Sequence, residues 1–235
     1  MLLYVIRHGD PIYSPDSLTE RGKLQAQALA KRLSVHGLDR IFSSPLNRAR
    51  QTAEPTCKLL KIEPKILDWT SEALAWDDFS FKFRDGKSAW AFRFQSTEYK
   101  TEEILAKGDR WYEAYPFCET NAKEGWARVK NESDSFLMSL GYKREGLKYR
   151  IIKPSDERVA VFCHQGFGTV WLSHLLSIIP PLFWASFDIS HSSVTILNFK
   201  NNEDGFTAPQ CLTLSDTSHI YAEHLPMMYN NVIPI

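Results

Sequence analysis

The 235-residue sequence predicts an α/β fold, a three-layer sandwich whose mainly parallel central sheet carries helices on both faces and an aromatic-rich cap insertion. Three observations predict it. Strand-like and helix-like segments alternate from residue 1 to residue 68, the pattern of a parallel sheet covered on both sides. The same alternation resumes at residue 158. Between the two, residues 69–126 hold 14 of the 30 aromatic side chains and show no strand period.

Each element has a local reason. Leu2-Leu3-Tyr4-Val5-Ile6 is a continuous apolar run, as expected of a strand buried on both faces. Residues 18–33 place Leu24, Ala28, Leu29 and Leu33 on one helical stripe, with Ser17 and Glu20 as a capping box and Gly37 as the stop. Residues 39–43 read as a second strand. Ser44-Pro45 then opens a helix to about residue 60, with Ser at the N-cap and Pro at the first helical position. Residues 65–68 supply a third strand.

The aromatic stretch contains amphipathic segments at 98–115 and 120–140. Residues 76–130 are expected to be a cap insertion within a single domain spanning 1–235. Arg158-Val159-Ala160-Val161-Phe162-Cys163 is another buried strand, followed by a turn with Gly166 and Gly168 and an apolar helix that Pro180-Pro181 breaks. Residues 192–199 and 210–214 read as two late strands.

Twenty-eight basic residues balance twenty-eight acidic ones, so no global field attracts nucleic acid or an anionic membrane. Anion binding has to come from a local cluster. The cysteines Cys57, Cys118, Cys163 and Cys211 form no CxxC pair, which argues against a zinc ribbon or disulfide framework and fits reduced thiols in the cytoplasm. The apolar run before Arg7 is too short for a signal peptide or membrane span. No histidine pair has metal-site spacing, so neither metal nor cofactor is expected. No motif sets an oligomeric state.

Phosphoryl transfer needs a nucleophile, cationic donors around the phosphate oxygens and an acid for the leaving oxygen. Arg7-His8-Gly9 ends the first strand, the ligand edge of an open α/β sheet. A neutral imidazole at His8 can attack phosphorus, Arg7 can fork onto phosphate, and Gly9 lets the backbone turn close to a ligand. Residues 43–53, Ser-Ser-Pro-Leu-Asn-Arg-Ala-Arg-Gln-Thr-Ala, leave a strand end and enter a helix, bringing Arg48 to an anion site. Phe162-Cys163-His164-Gln165-Gly166 brings a second imidazole to a third strand end. Three strand ends thus each supply a phosphate-compatible group.

These motifs, together with Leu18-Thr19-Glu20-Arg21-Gly22, resemble those of the histidine phosphatase (phosphoglycerate mutase-like) superfamily in type and order. The resemblance covers roughly residues 1–75 and 155–200. It implies that His8 becomes phosphohistidine, that Arg7, Gly9, Arg48 and His164 form the phosphate pocket, and that the proton donor is a Glu after the third strand. Glu72 stands there, and it is favoured because Gln165, which cannot give a proton, occupies the position where some relatives place an acidic residue; Asp77 and Asp78 are the alternatives. The chain also departs from the family at Asp10-Pro11-Ile12-Tyr13-Ser14, where many members carry an Asn that touches phosphate.

The implied activity is metal-independent hydrolysis of a phosphate monoester, either a small phosphorylated metabolite or a phosphoprotein. A phosphoglycerate-mutase-type transfer and a catalytically weak phosphate-binding or regulatory protein are the alternatives. Among the remaining residues, His174 reads as a core histidine and Arg21 and Arg50 as exposed helix residues. His191 is a secondary candidate for lining the site. Within the insertion, Trp76, Phe79, Trp90 or Phe92 either form a cap core or roof the cleft, with Arg84, Lys87 and Arg93 within reach of a second anionic group.

Overall fold

The computed structural model describes residues 1–82, 87–91 and 96–226. In chain order its strands and helices are β1 (Leu2–Arg7), β2 (Pro11–Tyr13), β3 (Asp16–Leu18), α1 (Glu20–Ser34), β4 (Arg40–Ser43), α2 (Asn47–Leu60), β5 (Lys65–Ile66) and α3 (Glu72–Phe79). Next come β6 (Ser80–Lys82), β7 (Ser88–Trp90), α4 (Ser96–Tyr99), α5 (Glu102–Lys107) and α6 (Ala122–Ser139). Then come β8 (Tyr142–Glu145), β9 (Lys148–Ile151), β10 (Arg158–Cys163), α7 (Gln165–Leu176), α8 (Pro180–Trp184), β11 (Val194–Asn198), β12 (Phe206–Thr207), β13 (Gln210–Asp216) and α9 (Ser218–Ala222).

Six strands form the central sheet in the order β13-β11-β1-β10-β4-β5. Strands β1, β10, β4 and β5 run parallel, and β11 is antiparallel to both its neighbours. The mainly parallel sheet read from the sequence is therefore present. Its apolar runs are buried because both faces are covered. Leu29 and Leu33 of α1 and Ala53 of α2 pack with Ile6, Ile41 and Phe162 on one face. On the other face Leu3, Val5 and Val161 join Phe136 and Leu137 of α6 and Phe167 and Trp171 of α7.

That second cluster runs on without a break into the insertion through Phe79, Tyr99, Trp111, Phe117 and Trp126. Trp111 is fully buried and sits edge-to-face with Phe117 and with Trp184 of α8, at 5.0 and 5.5 Å between ring centres. Among the described residues, no helix is long and apolar enough to cross a membrane.

Several local expectations are corrected. Thr19, not Ser17, caps α1, accepting from the Gly22 amide at 3.0 Å. Helix α2 begins at Asn47 rather than Pro45, and Ser44 does not cap it. Asp16 does so from the neighbouring hairpin, its Oδ2 accepting from the Asn47 amide at 2.6 Å. Pro180 and Pro181 open α8 as well as ending the preceding helix. The 98–115 helix is confined to α4, α5 and a 3-10 stretch. Strands β8 and β9, unforeseen in the sequence, form an antiparallel hairpin with Gly146 at its turn, extended by β12.

Candidate active site

The sheet order itself assembles the site. Register pairs Arg7 with Cys163 and Phe162 with Ser43, so β1, β10 and β4 finish side by side. The next residues along, His8, His164 and Ser44, then leave adjacent strand ends together. The His8 amide donates to the Cys163 carbonyl at 2.9 Å, and its carbonyl accepts from the Ser192 amide at 2.9 Å. His8 is thus fixed by β10 and by the segment that leads into β11, and its ring lies 5.1 Å from that of His164 between centres.

The His8 ring has a defined tautomer. Its Nδ1 lies 2.7 Å from the Gly9 carbonyl, which can only accept, so Nδ1 carries the hydrogen. Nε2 keeps its lone pair and faces the Arg48 Nε donor at 3.3 Å. Burial, then His164 and Arg7, holds the His8 pKa well below the ordinary imidazole value, so the ring is neutral. His164 is fully buried and is likewise held neutral, by burial and by the two arginines. Its Nε2 meets the Ser44 hydroxyl at 2.7 Å, while its Nδ1 is buried without a hydrogen-bond partner.

Arg7 is buried at the foot of the site. Nη1 donates to the Ile189 carbonyl at 2.6 Å and Nη2 to His191 Nε2 at 2.7 Å. These two acceptors orient the guanidinium toward the strand ends. Burial lowers its pKa to about 10, so it remains a cation at neutral pH. Arg48 donates through Nη1 to Asp16 Oδ1 at 2.7 Å and lies over the Tyr13 ring at 5.4 Å. One Asp16 carboxylate therefore holds both the start of α2 and the arginine on it.

Glu72 opens α3 and reaches across to the start of α7. Its two oxygens accept from the amides of Gly166 and Phe167, each at 2.9 Å. These donors favour the carboxylate, but burial outweighs them and raises the Glu72 pKa. Gly166 leaves the space that the Trp90 ring and the Glu72 carboxylate occupy. A Cβ there would lie 2.6 Å from the Trp90 ring and 3.1 Å from Glu72 Oε1.

A cleft of about 880 Å³ opens over these groups, lined at its base by Arg7, His8, Arg48, Glu72, Gln165 and His191. Leu46, Tyr13, Trp76, Asp77 and Trp90 stand along its walls. The structure thus brings together Arg7, His8, Arg48, His164 and Glu72 from five separate segments. Gly9 enters differently from the expectation. Its amide donates to Thr52 Oγ1 at 3.0 Å instead of facing the cleft, and its contribution is the carbonyl that sets the His8 tautomer. A Cβ on Gly9 would come within 2.8 Å of the Gly22 carbonyl, and one on Gly22 within 2.2 Å of the Asp10 carbonyl. This close crossing is the physical content of the Leu18-Thr19-Glu20-Arg21-Gly22 motif.

Of the alternative acids, Asp77 lines the cleft, whereas Asp78 is turned into an ion pair with Arg128 at 2.7 Å. Asp10, at the family's variable position, accepts from Thr19 Oγ1 at 2.6 Å and pairs with Arg21 at 2.5 Å, so Arg21 is less free than expected. Arg50 is exposed. His174 is buried against Asp134 at 2.8 Å, as a core histidine should be. His191 proves to be part of the site, its pKa lowered to about 3 by burial and by Arg7. Its 183-residue separation from His8 hides that proximity in the sequence. Phe79 is buried beneath the roof; Arg84, Phe92 and Arg93 lie outside the described residues.

Comparison with known proteins gives the family and the fold. Residues 3–210 match the family model of the histidine phosphatase superfamily, branch 1. A phosphoserine phosphatase 1 from Hydrogenobacter thermophilus is 26% identical over 215 residues, covering 86% of this chain and 88% of that relative. Among solved structures, a phosphoserine phosphatase variant from Entamoeba histolytica in complex with phosphoserine has a TM-score of 0.60 at 17% identity, over 93% of this chain and 98% of its own. The α-ribazole phosphatase of Shigella flexneri has a TM-score of 0.59 at 19% identity, over 92% and 97% respectively. A mycobacterial glucosyl-3-phosphoglycerate phosphatase bound to inorganic phosphate reaches 0.61 at 16% identity, over 93% and 98%. At these identities the structural likeness is one of fold, and the family match spans most of the chain. The chain belongs to the histidine phosphatase superfamily, branch 1, and is a phosphoric monoester hydrolase of that family.

Proposed function

We propose that the protein hydrolyses small phosphate monoesters in two steps through a phosphohistidine on His8 Nε2, without a metal ion. The observation that carries this reading is the His8 tautomer: Nδ1 is tied to the Gly9 carbonyl, which leaves the Nε2 lone pair beside Arg48. In the first step Nε2 attacks phosphorus, the bond to the leaving oxygen breaks, and Glu72 gives that oxygen its proton. In the second, Glu72 takes a proton from water as the water oxygen attacks phosphorus. The phosphorus–nitrogen bond breaks, its electron pair returns to Nε2, and orthophosphate leaves.

Arg7 and Arg48 supply the positive charge that the transferring group requires. The unpartnered Nδ1 of His164 is available as a further donor or acceptor. A phosphate dianion in this pocket reverses the electrostatics that keep the imidazoles neutral, so His164 gains proton affinity when substrate binds. The raised pKa of Glu72 keeps part of it protonated where His8 is already a free base, the combination the first step needs.

The test is phosphate release from p-nitrophenyl phosphate in EDTA, together with trapping of an acid-labile phosphoenzyme. Both should be present in the wild type and absent in His8→Ala. Loss of activity in EDTA, or turnover by His8→Ala, overturns the mechanism. Rapid interconversion of 2- and 3-phosphoglycerate without phosphate release would instead establish a mutase.

A further inference from the structure

We infer that the preferred substrates are phosphate monoesters whose alcohol carries a planar apolar ring, seated in the corner made by Trp76 and Trp90. The inference rests on the phosphate end of the cleft being occupied as proposed above. It starts from size. A cleft of about 880 Å³ leaves room beyond one phosphoryl group for a substituent of metabolite dimensions. What lines that remaining space then decides which substituent fits.

The aromatic side chains of the insertion fall into two sets. Trp111, Phe117, Tyr99 and Trp126 are buried and form the core of the cap. Trp76 and Trp90 are only half-buried and line the cleft with Leu46, Ala73, Ala89 and the exposed Tyr13. Their rings meet at 88° with centres 4.8 Å apart, which makes two perpendicular walls. A third ring stacked on one wall presents its edge to the other, the two favoured arrangements of aromatic pairs.

This corner adjoins the chemistry. The contact between the Trp90 ring and Gly166 places the indole next to the glycine whose amide holds Glu72. The first atoms of the leaving group therefore pass along Trp90 as the leaving oxygen approaches the acid. Charge points the same way. Among the described residues that line the cleft, the arginines are Arg7 and Arg48, and the walls carry Asp16 and Asp77. Asp16 is engaged by Arg48, while Asp77 faces any carboxylate that a substrate brings into the outer cleft. A carboxylate-bearing alcohol of the phosphoserine or phosphoglycerate kind finds a weaker match there than a ring does.

Titration of the full-length protein with alkylphosphonates, in which CH₂ replaces the bridging oxygen, reads this without turnover. We expect 3-phenylpropylphosphonate to bind about tenfold more tightly than propylphosphonate, and 3-phosphonopropionate no better than propylphosphonate. Trp76→Ala should bring the ring-to-propyl ratio close to one. Equal binding of the two alkylphosphonates by the wild type, or tightest binding of the carboxylate, overturns the inference and leaves the hydrolytic mechanism standing. Failure of orthophosphate itself to bind would overturn both. A kinetic check uses 2-phenylethyl and ethyl phosphate, whose leaving oxygens are similar in basicity. A ratio of kcat/KM near one refutes the ring preference.

Discussion

Glu72→Gln separates the acid from the scaffold. In the wild type the two carboxylate oxygens accept the Gly166 and Phe167 amides at 2.9 Å each. Glutamine retains a carbonyl for one of them and turns an NH₂ toward the other. One amide loses its acceptor, at a folding cost of about 1–3 kcal/mol. The kinetic effect is larger and depends on substrate. Removing a general acid slows an alkyl phosphate by about 10²–10⁴-fold, which is about 2.7–5.5 kcal/mol of barrier. The p-nitrophenolate of an aryl phosphate departs unaided, so its rate should fall by less than about tenfold. Initial rates of phosphate release from ethyl phosphate and p-nitrophenyl phosphate, measured from pH 5 to 8, give both numbers. Because burial raises the Glu72 pKa, the wild-type alkyl rate should fall as pH climbs through that raised value, and the fall should be missing in the variant. Equal losses on both substrates would mean that Glu72 only anchors α7. An undiminished alkyl rate would shift the acid to another group, with Asp77 the candidate on the cleft wall.

Three other outcomes follow from the same geometry. His8, His164, His174, His191 and His219 all have lowered pKa values, with His191 near about 3 and His219 near about 4, and burial is the largest cause for each. The unfolded chain takes up protons at these rings near the ordinary imidazole value while the native state does not. Stability is therefore full above about pH 6.5 and falls on acidification, by about 1.4 kcal/mol per pH unit for each ring. Urea denaturation between pH 7.5 and 4.5 checks this, and a flat profile contradicts it. Gly166→Ala, which must displace Trp90 or Glu72, should lower kcat/KM for alkyl phosphates about 10- to 100-fold with unchanged far-UV circular dichroism. Wild-type kinetics in that variant would disprove the steric argument. Asp16→Ala removes the acceptor for the Asn47 amide and should cost about 0.5–2 kcal/mol in chemical denaturation, a loss that Asp16→Asn recovers in part. No change in the alanine variant would show that solvent caps α2 equally well.

What the sequence could reveal depended on the range over which each signal acts. β1 and β10 were legible because a strand buried on both faces must be apolar throughout. The convergence of Arg7, His8, Arg48 and His164 was legible because phosphoryl transfer demands those residue types wherever they stand. The start of α2 was not, since the local Ser44-Pro45 signal competes with partners far along the chain. The Ser44 hydroxyl is held at His164, and the cap comes from Asp16. The reversed direction of β11 leaves no mark in its own composition. The β8–β9 hairpin did leave one, with Tyr142 and Tyr149 buried on alternating strands around Gly146, but the charged residues between them masked the period. Gly9 was assigned to the ligand when its backbone belongs to Thr52, Gly22 and the His8 ring, because a glycine's neighbours are set by tertiary packing.

The bond between Glu72 and the first amides of α7 has a consequence for how such a protein diversifies. The carboxylate stands at the point where the chain departs into the aromatic insertion, yet it is gripped by the helix that follows β10, on the far side of that insertion. The proposed acid is thus indexed to the sheet and not to the roof. Ser88 and Ala89 of β7 also line the cleft, so a change there alters what the cleft admits while Glu72 keeps its two amides. With Glu72 as the proposed acid, the part of the cleft wall that lies on β7 is separate along the chain from the group that moves the proton.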